Sequence, residues 1–128
     1  MKILFLLMTG IVIVSCGQVK KSYFENGQLK SKYKYQKTQQ SGIQKEWYPT
    51  GQLKVKFISK NDKLHGTYKE WHENGQLWSQ SQWENGKQDG LFRQWQEKGE
   101  LTDEMIWKEG SVISKTCWDI TGKEIDCD

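Results

Sequence analysis

A twelve-residue phrase, GTYKEWHENGQL at Gly66–Leu77, recurs at a fixed interval that limits the fold more than any other feature. Upstream it reads GIQKEWYPTGQL (Gly42–Leu53) and downstream GLFRQWQEKGEL (Gly90–Leu101), each 24 residues away. Partial copies stand at Tyr23–Leu29 and Trp118–Ile125. Gly27, Gly51, Gly75, Gly99 and Gly122 are spaced 24, 24, 24 and 23 residues apart, as are Tyr23, Trp47, Trp71, Trp95 and Trp118. A period of this length means one supersecondary unit stacked on copies of itself. The chain is a repeat array.

Each unit reads as a β-hairpin. In Trp71–Leu77 the pair Asn74-Gly75 separates two alternating runs, and Asn-Gly supplies the positive φ angles of a tight two-residue turn. The other turns hold Asn26-Gly27, Thr50-Gly51, Lys98-Gly99 and Thr121-Gly122, so only the glycine is kept. After the turn, Leu29–Tyr33 and Leu53–Phe57 alternate with period two, the mark of a half-exposed strand. Two strands per unit predict an all-β fold: a single-layer, twisted antiparallel meander of hairpins, about 24 residues each. Gly110 lies outside the repeated turns, so valine there is expected to be tolerated better than at Gly75.

Residues 1–15 read as an address rather than structure. Met1-Lys2 carries one cation, and Ile3–Val14 is apolar apart from Thr9 and Gly10. That run is short of the roughly 20 apolar residues a spanning helix needs and fits a secretory signal peptide. Ile13-Val14-Ser15-Cys16 resembles a bacterial lipobox, which predicts cleavage before Cys16 and acylation of its thiol. Gly17 after the cysteine resembles the sorting signal of Gram-negative outer-membrane lipoproteins, which predicts an anchor facing the periplasm. Residues 16–22 then form a lipidated polar tether, and 23–128 form the array, closed by an atypical last unit. With Cys16 acylated, Cys117 and Cys127 remain as an even pair in an oxidising compartment, which favours a disulfide. Metal binding is the rival reading for them, but His65 and His72 both lie in other units.

Comparing units separates scaffold from candidate function. The turn glycine, the aromatic four residues before it and the leucine two after it recur, and each has a structural reason. Positions Tyr48/His72/Gln96, Ser41/His65/Asp89 and Ser31/Val55/Ser79/Asp103 vary. Trp78, Trp83 and Trp107 stand outside the strand-end Trp series, and Trp78 replaces Lys30, Lys54 and Thr102 of the other units. These three, with His72 and Tyr48, are the candidate binding residues. No catalytic set or phosphate loop occurs, and the carboxylates of Asp103-Glu104 point to opposite faces of one strand. A non-enzyme with no cofactor is expected.

Charge is polarised along the array. Residues 20–69 carry a net +9 and residues 70–128 a net −7, within a chain whose total is only +3. One reading is a solvated outer face that discourages edge aggregation. The other is that the basic half, next to the anchor, lies toward anionic lipid or glycan phosphate, leaving the acidic half for a partner. An exported chain is not expected to meet nucleic acid.

Glu73–Leu77 (ENGQL) and His65–Trp71 (HGTYKEW) carry a resemblance to the MORN-repeat-variant family, including YwqK-type antitoxins of bacterial toxin–immunity systems. The match covers roughly residues 23–110. It implies a curved β meander that binds another macromolecule, with no catalytic residues to carry over. The expected function is therefore a membrane-anchored lipoprotein that binds a protein, such as a toxin. The alternative is an envelope lipoprotein that binds glycan or lipid headgroups.

Overall fold

The computed structural model describes residues 17–127. The signal peptide expected at 1–15 and the acylation site expected at Cys16 lie outside the described residues. Within them the chain forms β1 (Gln18–Tyr23), β2 (Leu29–Gln36), β3 (Gln39–Gln40), β4 (Gly42–Trp47), β5 (Leu53–Lys60), β6 (Lys63–Leu64) and β7 (Gly66–Trp71). There follow β8 (Leu77–Glu84), β9 (Lys87–Gln88), β10 (Gly90–Trp95), β11 (Leu101–Lys108), β12 (Ser111–Trp118) and β13 (Glu124–Ile125). All belong to one open antiparallel sheet in the order β1-β2-β4-β5-β7-β8-β10-β11-β12-β13. The short β3, β6 and β9 extend the hairpins of β2, β5 and β8. The all-β hairpin meander read from the period is the observed architecture.

One boundary differs. The sequence reading assigns residues 18–22 to a tether, yet they form most of β1 and pair with β2 from Gln18↔Tyr35 to Ser22↔Ser31. All six residues of this edge strand are exposed, so no apolar alternation marks it in the sequence. Lys20 and Lys21 give it the charged edge that discourages further pairing.

Two kinds of turn close the hairpins. At the repeated glycine the loop has three residues rather than the expected two. His72 N–H donates to the Gln76 carbonyl at 2.9 Å, and Gly75 N–H donates to the His72 carbonyl at 3.0 Å. Gly75 alone is left-handed, at φ 89°, the type I turn with a following αL residue. Asn74 has another role: Oδ1 accepts from Gln76 N–H at 2.9 Å, and Nδ2 donates to the Glu97 carbonyl of the next unit at 2.8 Å. The two-residue turns lie at the opposite end of the strands. Asn61-Asp62 (φ 51° and 64°), Asn85-Gly86 (50° and 82°) and Glu109-Gly110 (49° and 85°) are left-handed at both positions. Gly110 is therefore itself a turn glycine, so valine is strained there as well as at Gly75. These turns also lock units together: the N–H groups of Asp62, Gly86 and Gly110 donate to the carbonyls of Gln40, Leu64 and Gln88.

Between each two-residue turn and the next long strand the ladder is interrupted. Tyr35 pairs with Gln40 but Lys32 pairs with Lys45, so one strand carries two extra residues there. Left-handed glycines Gly42, Gly66 and Gly90 make these bulges. The last unit lacks one residue and the glycine. Ile106 pairs with Ser114 and Trp107 with Val112, a one-residue bulge inside an unbroken β12. The deletion thus comes out of the bulge.

Residues directly opposite each other share a face of the sheet. Gln44, Val55, Ser59, Ser79, Ser81 and Cys117, all buried, lie on one face. There the rings of Tyr33, Phe57 and Tyr68 follow one another at 6.4 and 5.7 Å between centroids. Tyr33 donates to Glu46 and Tyr68 donates to Glu70 at 2.8 Å. Burial first, and then those carboxylates, push both phenols above their usual 10.0, so each stays a donor. Gln44 has 0% of its surface exposed. Its Oε1 accepts from Lys34 N–H at 2.6 Å, while Nε2 donates to the Lys34 carbonyl at 3.0 Å and Ser59 Oγ at 2.8 Å. The side chain thereby replaces ladder bonds that the first bulge takes away. Cys117 and Cys127 are joined, with Cα atoms 5.5 Å apart, and tie the C-terminal residues to β12.

Candidate functional site

The candidate residues do not converge. Trp83 and Trp107 stand opposite the bulge glycines Gly66 and Gly90, on the face of Tyr68 and Phe92. Trp83 Nε1 donates to Ser81 Oγ at 2.7 Å, and Trp107 Nε1 is buried without a partner among the described residues. Trp78 alternates with Ser79 and so lies on the opposite face, 40% exposed.

Tyr48 and His72 occupy equivalent positions and join successive units. Tyr48 Oη donates to the Trp71 carbonyl at 2.8 Å. His72 Nε2 lies 3.0 Å from the Trp95 carbonyl and takes the same bond when that nitrogen carries the proton. Burial, and then Glu73 and Glu70, push the Tyr48 phenol above its ordinary value. The varied Ser41 and Asp89 are likewise engaged, accepting from the turn N–H groups of Asn61 (3.1 Å) and Glu109 (3.1 Å). Among the described residues no three His, Cys, Asp or Glu side chains cluster as metal ligands.

A groove brings the remaining candidates together. His72, Trp78, Trp95, Glu97, Glu100 and Ile120 line a space of about 740 Å³ between the third unit and the C-terminal ones. The His72 and Trp78 rings are 6.0 Å apart and tilted by 48°. Two units earlier the same place is a space of about 250 Å³ lined by Phe24, Lys30, Trp47, Tyr48 and Lys54 among others. Lysine ammonium groups occupy it: Lys30 Nζ lies 5.6 Å from the Phe24 centroid, and Lys54 Nζ 5.5 Å from that of Tyr48. Trp78 and Thr102 replace those lysines in the larger groove.

Glu100 was not among the candidates, though the repeat comparison contains the signal. Gln28, Gln52 and Gln76 stand at its position, and each packs against the turn glycine of the next unit. The side chain of Glu100 does not reach its counterpart, Gly122. Its Oε2 is buried and has no hydrogen-bond partner among the described residues. Neither Glu97, Lys98 nor Glu100 forms an ion pair among the described residues.

The face that carries Trp78 also holds a row of cations. Lys21↔Lys32, Lys32↔Lys45, Lys45↔Lys56 and Lys56↔Lys69 are directly paired across successive strands. Strands lie about 4.8 Å apart, so five like charges share a line of roughly 19 Å. None of the five forms an ion pair among the described residues. Past β7 the row continues as Gln80, Arg93 and Glu104, where Arg93 Nε meets Glu104 Oε2 at 2.8 Å.

The family comparison coincides with these units. The MORN repeat variant model matches residues 19–37, 40–61 and 64–85, each segment one hairpin of the array. Residues 19–85 are MORN-variant repeats. No curated protein matches the chain. The groove lies where the MORN-variant segments give way to the C-terminal units: His72 and Trp78 come from the last matched segment, and the other groove residues named lie beyond it.

Proposed function

We propose that the chain is a non-catalytic binding module of the bacterial envelope, lipid-anchored through Cys16 and presenting the Trp78 groove to a protein partner. Toxin–immunity pairing, as in YwqK-type antitoxins, is the partnership the family resemblance favours. The reading rests chiefly on one observation: Trp78 and Thr102 stand where lysines fill the groove in the first units, and the space there is about 740 Å³ against about 250 Å³. A large exposed aromatic in a recess is the kind of residue that dominates binding energy at interfaces. In the proposal the anchor sits in the outer membrane and the array faces the periplasm.

The lysine row favours a second reading, in which the opposite end of the sheet rests on anionic glycan or lipid headgroups. Like charges directly opposed are destabilising, so an unneutralised row of five suits a surface that brings its own anions. Capture from an envelope extract tests the pair. The proposal predicts a protein retained by wild-type chain and lost with Trp78→Ala. Retention on peptidoglycan or anionic vesicles with no protein captured supports the second reading and overturns the first. The anchor has its own test: Cys16→Ser should abolish acyl labelling and leave uncleaved precursor, and normal labelling of that variant contradicts it.

A further inference from the structure

We infer that the Trp78 groove accepts a basic side chain, arginine or lysine, from the protein partner, with its charge on Glu100 and its aliphatic stem along the Trp78 ring. The inference rests on the reading that this groove binds protein, and it adds what the groove recognises.

The chain itself supplies the template. In the first two units an aromatic ring at the start of the turn is covered by the ammonium of its own lysine: Lys30 over Phe24 and Lys54 over Tyr48. Such a cation is attracted by the ring's negative face. In the third unit the pair is His72 and Trp78, so the internal cation is gone and a second ring stands in its place. One unit on, Thr102 replaces the other lysine. Tryptophan is the best aromatic face for a cation.

Glu100 adds the countercharge at the same place. It substitutes a carboxylate for the amide of Gln28, Gln52 and Gln76, and its Oε2 is buried without a partner among the described residues. A buried carboxylate oxygen is costly to leave unpaired, and a guanidinium or ammonium supplies charge-assisted donors. Glu97, beside it on the groove wall, has the same sign. Lys98 also lines the groove but forms no ion pair with either carboxylate among the described residues. Aromatic floor, buried acceptor and negative rim together fit a cation on a flexible apolar stem. They do not fit an anion.

The test titrates the full chain with a short Gly/Ser peptide carrying one central arginine, and with the same peptide carrying neutral citrulline. Tryptophan indole N–H resonances report binding. The arginine peptide should move the Trp78 and Trp95 signals and bind about tenfold more tightly than the citrulline peptide, in line with one cation–π contact plus a charge-assisted bond. Glu100→Gln restores the residue of the other units and should bring arginine binding down to the citrulline level. Trp78→Lys should restore the internal cation and abolish binding of both peptides, with the melting temperature kept. Arginine and citrulline peptides that bind alike, or arginine binding unchanged in Glu100→Gln, overturn the basic-side-chain inference and leave groove binding standing. If neither peptide moves the Trp78 signal, the inference is overturned too. Partner capture unaffected by Trp78→Ala removes the underlying reading instead.

Discussion

Gln44→Met is expected to destabilise the array by about 1–3 kcal/mol, the penalty for leaving a buried polar group unpartnered. The substitution keeps the volume and removes both polar atoms. Lys34 N–H then has no acceptor in place of Oε1, and Ser59 Oγ loses the donor now 2.8 Å away. The Lys34 carbonyl is less exposed to the change, since Ser41 N–H also reaches it at 3.0 Å. For a domain of this size the loss lowers the melting temperature by roughly 4–8 °C per kcal/mol. Gln39→Met, at an exposed site, is the control and should stay within about 0.5 kcal/mol. Thermal melts of the two variants that coincide would show that the Gln44 bonds contribute nothing net.

Valine at Gly75 and at Gly110 should each cost on the order of 1–3 kcal/mol, because both backbones are held left-handed. The two sites differ in their neighbours. A Cβ at Gly75 would stand 3.1 Å from Gln52 Nε2, whereas at Gly110 the nearest atom is Lys87 Cβ at 4.0 Å. Gly75→Val therefore has a contact to relieve as well as a strained φ, though Gln52 can move aside. Gly110→Asn separates backbone strain from crowding. Asn visits the left-handed region readily, and Asp62 occupies the equivalent place at φ 64°. Denaturant melts should show Gly110→Asn near wild type and Gly110→Val well below it. Equal losses for those two would mean that φ does not limit this turn.

The fold was legible because the repeat enforces it. A 24-residue period, a glycine fixed in every unit and alternation after it leave few architectures other than a hairpin meander. What escaped was local. Asn74-Gly75 reads as a two-residue turn, but an adjacent pair cannot reveal that the hydrogen-bonded loop includes Glu73. The true two-residue turns include Asn61-Asp62 and Glu109-Gly110, with only one glycine between them. Strand β1 escaped because an exposed edge has no burial pattern to leave in a sequence.

The site was legible in part. Trp78 stood out by comparison between units, and Glu100 was open to the same comparison against Gln28, Gln52 and Gln76. Their shared groove was not visible, because it depends on how the turn of one unit overhangs the next. Nor could the sequence show that Tyr48 bonds to the Trp71 carbonyl one unit on, or that His72 Nε2 stands 3.0 Å from the Trp95 carbonyl. Trp83 falls on the other face by plain alternation along β8, in register with Ser79 and Ser81, and Trp107 does so in register with Asp103 and Met105.

The central claim is that the array is a scaffold and the Trp78 groove is its binding surface. The most direct measurement takes Trp78→Ala and records its melting temperature and its capture of the protein partner side by side. Trp78 is exposed, so the melt should stay close to wild type while capture is lost. Capture equal to wild type at an unchanged melting temperature would contradict the account.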